Sequence, residues 1–211
     1  MDYDLSDITG VATGFEYRNL CRLMAQQDLK DLNCALRMRF RRSKSQPEAL
    51  ETWMVRSYSS VKFLLAATVM LSSAEFASAG GLMIVVPYLL YYSLFNTSRS
   101  LLLLVPEQAW NDGRLLDETT HQKTWKVVAD QLYKVNHDFA AAYSQFVKQT
   151  LAVRELFSYK FPATGLRGAD VQKLLPSLEQ TIEVCSVIAE VAEYYSEALE
   201  REFKDLQKPA A

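Results

Sequence analysis

Histidine is scarce in this chain. Only His121 and His137 are present, so any proton transfer near neutral pH that needs an imidazole has two candidates. Basic residues are more plentiful, and one group is dense: Arg37, Arg39, Arg41, Arg42 and Lys44, with Phe40 interleaved. Guanidiniums around an aromatic ring are what single-stranded nucleic acid binding uses, the charges meeting phosphates and the ring stacking on a base. The other reading of such a run is a solvated helix end, where cations meet the negative end of the helix dipole. A second polar group falls in an apolar stretch, where Asn96 and Arg99 stand three apart on the same helical face as Tyr92. That face offers either a polar groove or a hydrogen-bonded end of a core helix. Arg154 and Tyr159 either join that patch or anchor the loop before Pro162.

Other chemistries lack their residues. No Gly-rich phosphate loop, Gly-x-Ser-x-Gly, His-Glu-x-x-His or Cys-x-x-Cys occurs, so no cofactor and no metal is expected. Cys21, Cys34 and Cys185 are odd in number and widely spaced, as in a reduced cytoplasmic protein. The acidic Met1-Asp-Tyr-Asp-Leu-Ser-Asp7 start is unlike a secretory signal, so the expected location is the cytoplasm. A net charge of −2 gives no global attraction for nucleic acid, leaving only local basic patches.

The elements that must position these residues read as helices. Seven glycines and six prolines in 211 residues leave little material for turns, and the apolar residues recur at strides of three and four. An all-α bundle of about five long helices follows, with residues 1–46 as an N-terminal helical extension, 47–207 as the bundle and 208–211 as a disordered tail. The first helix is read from Phe15 to Phe40. The second begins at Pro47 and runs to about Ala74, with Trp53, Val55, Tyr58, Val61, Leu64, Leu65, Thr68 and Leu71 toward a core. The third runs from Leu82 to Leu104, and Pro106 closes it. Glu107 to Thr120 is a loop around Asn111-Asp112-Gly113. A fourth helix, capped by Thr119 or Thr120, reaches Leu151 with a break near Asn136. Phe157 to Asp170 is a second loop, and the last helix covers Gln172 to Leu206. Residues 81–105 are apolar enough to raise a membrane span. Their tyrosines, serines and Asn96 favour a helix buried on most sides.

The order of these segments resembles the HEPN (higher eukaryotes and prokaryotes nucleotide-binding) superfamily over about residues 55–203. An alanine-rich helix and small-residue turn, Lys62 to Ala79, precede an aromatic helix, Tyr91-Tyr92-Ser-Leu-Phe95-Asn96-Thr-Ser98-Arg99-Ser-Leu101-Leu102. Thr120-His121 then follows the loop, and Arg154-Glu-Leu-Phe-Ser-Tyr159 precedes the last helix. The resemblance implies a HEPN-like bundle, and in ribonuclease members an Arg-x(4–6)-His motif at a dimer interface. Arg114 and His121 have that spacing. The implied chemistry is metal-independent RNA cleavage, with His121 transferring protons and Arg114 stabilising the phosphorane, as in defence or toxin-antitoxin systems. Asn96, Arg99, Arg154, Tyr159 and the arginines at 37, 39, 41 and 42 would contact RNA. The implied partners are a second copy, RNA, or a nucleotidyltransferase-like protein. The alternative implied is a non-catalytic interaction subunit or scaffold. Two departures from the ribonuclease pattern stand out: Leu115 follows Arg114, and Lys123 occupies the tyrosine position of the toxin-type His-x-Tyr.

Overall fold

The computed structural model describes residues 17–43, 49–159 and 176–206. Lys44, the Ser45-Gln46-Pro47 stop, the loop residues around Pro162, the start of the last helix at Gln172 and the tail at 208–211 lie outside the described residues. The described residues are all helix and connecting turn. In chain order the helices are α1 (Arg18–Leu23), α2 (Gln26–Ser43), α3 (Ala49–Ala79), α4 (Val86–Leu104), α5 (Arg114–Glu118), α6 (His121–Tyr133), α7 (His137–Tyr159) and α8 (Leu178–Leu206).

α4 is the central element. It is buried along nearly all its length, including Leu90, Leu94, Leu101 and Leu102, and packs against α3, α6, α7 and α8. The apolar run at 81–105 is therefore mostly the core helix of the bundle. Its start is Val86 rather than Leu82. Gly81 reverses the chain at a φ of +74°, and Pro87 occupies the first turn, where its missing N–H costs no helical bond.

The long first helix divides in two. Met24 is extended, and both ends of α1 are tied elsewhere. At its start the Glu190 carboxylate of α8 accepts from the Asn19 and Leu20 backbone N–H groups at 2.8 and 2.9 Å. At its end the Leu23 carbonyl accepts from Asn136 Nδ2 at 3.1 Å. Leu20, Leu29, Leu32, Leu36 and Phe40 from α1 and α2 join the same core as Leu94, Trp125, Tyr143 and Tyr195.

Asn136 also makes the break between α6 and α7, because its Oδ1 accepts from the Phe139 N–H at 2.9 Å and caps the new helix. Thr120 caps α6 in the same way, through the Lys123 N–H at 3.2 Å. The loop from Glu107 to Thr120 is not wholly irregular. Asn111, Asp112 and Gly113 all take positive φ, and the chain then closes the short helix α5.

The largest departure from the sequence reading is in α3. Trp53 faces the core as expected, but Val55, Tyr58, Val61, Leu65 and Thr68 are exposed. The buried positions are Trp53, Arg56, Ser60, Ala67, Ala74 and Ala77. Small side chains let α3 lie close against α4, and polar groups bind backbone across the contact. Ser60 Oγ donates to the Ser100 carbonyl at 3.0 Å. Arg56 donates to the carbonyls of Leu103, Val105 and Gln108 at 2.6, 2.9 and 2.9 Å, satisfying the end of α4. Its guanidinium lies 4.0 Å from the Trp53 ring centre. Burial lowers the Arg56 pKa to about 10, so it still carries its charge at neutral pH.

Candidate functional site

His121 begins α6 and is exposed, with its ring against aromatic residues of α4. It stacks on Phe95 with ring centres 3.9 Å apart and planes 15° from parallel, and Tyr91 lies beyond at 5.8 Å. The Tyr91 hydroxyl hydrogen-bonds His121 Nδ1. Because Thr120 fixes the first turn of α6 and Tyr91 is buried in α4, the imidazole is held at both its backbone and its ring.

Two guanidiniums flank this cluster. Arg99, on α4 one turn beyond Phe95, lies 5.5 Å from the Phe95 ring and 4.6 Å from the Phe63 ring, and donates to the Leu116 carbonyl at 3.0 Å. Arg154 of α7 lies 5.5 Å from the Tyr91 ring and 5.3 Å from Tyr159, and donates to the Tyr92 hydroxyl at 3.4 Å. Burial, then Arg154, then Arg99, lower the His121 pKa below its ordinary value of 6.5. The imidazole is therefore neutral at pH 7. Burial raises the Tyr91 pKa to about 12, against the opposing charge of Arg154, so its hydroxyl keeps its proton.

Hydroxyl oxygens both donate and accept. With Nδ1–H donated to the Tyr91 oxygen, Nε2 presents a lone pair. With the Tyr91 proton donated to Nδ1, Nε2 carries the hydrogen. Either tautomer keeps the outer nitrogen available for proton transfer. Beside the cluster, Trp125 Nε1 and Arg154 Nε are buried donors without a hydrogen-bond partner, and the Trp125 ring is 5.3 Å from Phe95.

The structure brings together four of the sequence-derived site residues: Arg99, His121, Arg154 and Tyr159. It separates Arg114 from that group. Arg114 is exposed on α5, donates from Nε to the Asn111 carbonyl at 3.3 Å and faces Glu118 at 3.9 Å. The charges that bear on His121 are those of Arg154 and Arg99 instead. Asn96 is also apart, nine-tenths buried and donating to Met70 Sδ at 3.3 Å. His137, at the start of α7, packs its ring at 55° against that of Tyr133 rather than in this cluster.

The basic run on α2 meets acids of the same chain. Arg39 binds Glu107 through two bonds of 2.5 Å and Gln131 at 2.9 Å. Arg41 binds the buried Glu202 at 2.9 and 3.2 Å, and Arg37 lies 3.5 Å from the same carboxylate. Arg42 is exposed. Phe40, read as a stacking residue, is fully buried against Trp53, because its position four residues after Leu36, itself four after Leu32, places it on the inner face. Tyr91 and Phe95 were legible only as core aromatics. Their signal was the Tyr-Tyr-x-x-Phe spacing that sets Tyr91 and Phe95 on one face, followed a turn later by Arg99.

Among the described residues no group of His, Cys, Asp and Glu is arranged to hold a metal ion. Set against known proteins, the chain matches no family model, no curated protein and no solved structure. The functional reading therefore rests on the site itself.

Proposed function

We propose that this chain is a HEPN-like helical protein that binds RNA at the His121 cluster and cleaves it without a metal ion. The observation that carries the reading is a neutral, exposed imidazole, fixed by Tyr91 and standing between the guanidiniums of Arg99 and Arg154. Each guanidinium has five N–H donors, and the contacts with Leu116 and Tyr92 leave others for a phosphate oxygen. Exposed Tyr159 beside Arg154 supplies a face for base stacking.

In the proposed reaction, His121 Nε2 takes the proton of a ribose 2′-hydroxyl. The 2′-oxygen attacks the adjacent phosphorus, the bond to the 5′-oxygen breaks, and that oxygen takes up a proton from the imidazolium. The products are a 2′,3′-cyclic phosphate and a 5′-hydroxyl. Arg99 and Arg154 stabilise the added negative charge of the phosphorane, the role that the family resemblance had implied for Arg114.

The test is fluorescence anisotropy with labelled single-stranded RNA, followed by product analysis in EDTA. Binding should weaken with salt, and Arg99→Ala with Arg154→Ala should weaken it at least tenfold. His121→Ala should keep binding and lose cleavage. No binding by the wild type at low salt would sink the whole reading, and cleavage unchanged in His121→Ala would remove the catalytic half. A non-catalytic interaction subunit is the second reading, and the exposed apolar side of α3 favours it.

A further inference from the structure

The outer side of α3 carries Met54, Tyr58, Val61, Leu65, Val69, Ser72 and Phe76 at successive spacings of four, three, four, four, three and four. These strides keep all seven on one side of the helix. All seven are exposed, Tyr58 and Leu65 each at 64% and Phe76 at 78%. Lys62 and Glu75 lie one on each flank, and Glu51 stands one stride before Met54. A helix of this composition is long enough to cross a membrane, yet only 22% of its most apolar stretch is buried. A contiguous exposed apolar strip of this length marks a contact surface.

We propose that this face is the interface with a second copy of the same chain, packed antiparallel about a two-fold axis at Leu65. Three observations select that occupant. The strip runs from Met54 to Phe76, about 33 Å at 1.5 Å per residue, long enough for a continuous seam between two helices. The strip is self-complementary when it runs antiparallel: positions equidistant from Leu65 pair Met54 with Phe76, Tyr58 with Ser72 and Val61 with Val69. Large thus meets small, and a thioether meets an aromatic ring. The strip itself bears no charge, so a charged partner has nothing to complement.

Lipid is the weaker fit. A spanning α3 would carry α4 with it, and α4 is enclosed by α6, α7 and α8. Lying on an anionic surface calls for flanking cations, whereas Lys62 is balanced by Glu75. The interface also lies opposite the side on which Phe63 meets Arg99. Each copy's His121 cluster is then complete in itself, unlike the shared site that the family resemblance implies. The dimer does not rest on the RNA reading.

The full chain should sediment as a dimer at micromolar concentration. Leu65→Glu should raise the dissociation constant at least tenfold while helical signal and cooperative melting persist. Exposed Cys21 and Cys34 are replaced by serine for the crosslinking arm. In that background Leu65→Cys should form a disulfide-linked dimer on mild oxidation, while Val61→Cys should not, because antiparallel packing sets the two Val61 positions about 12 Å apart along the axis at 1.5 Å per residue each. A wild type that stays monomeric overturns the proposal. So does crosslinking by Val61→Cys, which reports parallel packing. Binding of the wild type, but not Leu65→Glu, to phosphatidylcholine or phosphatidylserine vesicles would assign the face to lipid instead.

Discussion

α3 and α4 form one hairpin, yet they place their apolar residues in opposite ways. α4 is enclosed along most of its length by other helices and, Tyr88 in its first turn apart, keeps its large residues inside. α3 turns Ala67, Ala74, Ala77 and Ser60 toward α4 and leaves Tyr58, Leu65 and Phe76 outside. A large side chain is therefore no guide to the inner face of a helix that packs closely on a neighbour. What identifies the inner face of α3 is the run of small residues together with a buried arginine.

The sharpest way to break this contrast is to put the same charge on both helices. Leu101→Glu, at a fully buried position of α4, should abolish folding, since an unpaired buried carboxylate costs several kcal/mol of a total stability of only about 5–15 kcal/mol. Leu65→Glu on the outside of α3 should leave the folded monomer intact. Circular dichroism melts of the two variants decide it, and equal damage in both would mean that α3 is buried on both sides.

Arg56→Met comes next. It removes the donors to three carbonyl oxygens at the end of α4, for a loss of about 3 kcal/mol by urea unfolding. An unchanged midpoint would reduce the inner face of α3 to packing alone. Ala67→Leu tests that packing directly. Filling the close contact should cost about 1–3 kcal/mol, although leucine is the more apolar residue. On the far side of α4, Tyr143→Phe leaves Ser98 Oγ without its 3.0 Å partner, a loss of about 1 kcal/mol.

The smallest effect is a pH dependence. Because the His121 pKa is lowered in the folded chain, its neutral form predominates at pH 7 and is lost as the pH falls through a value below 6.5. Cleavage by a His121 base should show its acid limb there. Folding should shift in the same direction, since the unfolded chain takes up the proton first and gains on acidification. Stability that rose as the pH dropped below 6.5 would contradict the placement of His121 between two cations.

The helical class, the break at Asn136 and the Thr120 cap were legible because each rests on local chemistry: stride, punctuation and an Oγ within reach of a backbone amide. His121, Arg99, Arg154 and Tyr159 were legible as types. Their meeting was not, since it depends on how α4, α6 and α7 pack. Arg114 illustrates the limit. Its spacing to His121 suggested a pair, but the Asn111-Asp112-Gly113 turn gives it Glu118 instead. The α2 arginines were read as phosphate contacts or a solvated helix end, because Glu107 and Glu202 are far away in the chain and no local pattern announces their approach. A charge that falls in register with Trp53 and Ser60, as Arg56 does, was the available clue to the inner face of α3.

The grip of Glu190 on Asn19 and Leu20 has a consequence in time. The two ends of that contact are 171 residues apart. At a synthesis rate of ~5–20 residues per second, α1 is synthesised on the order of 10–30 s before the carboxylate that holds it. α1 is made well before the helix that fixes it in place, so its apolar Leu20 must wait, uncovered, for α8.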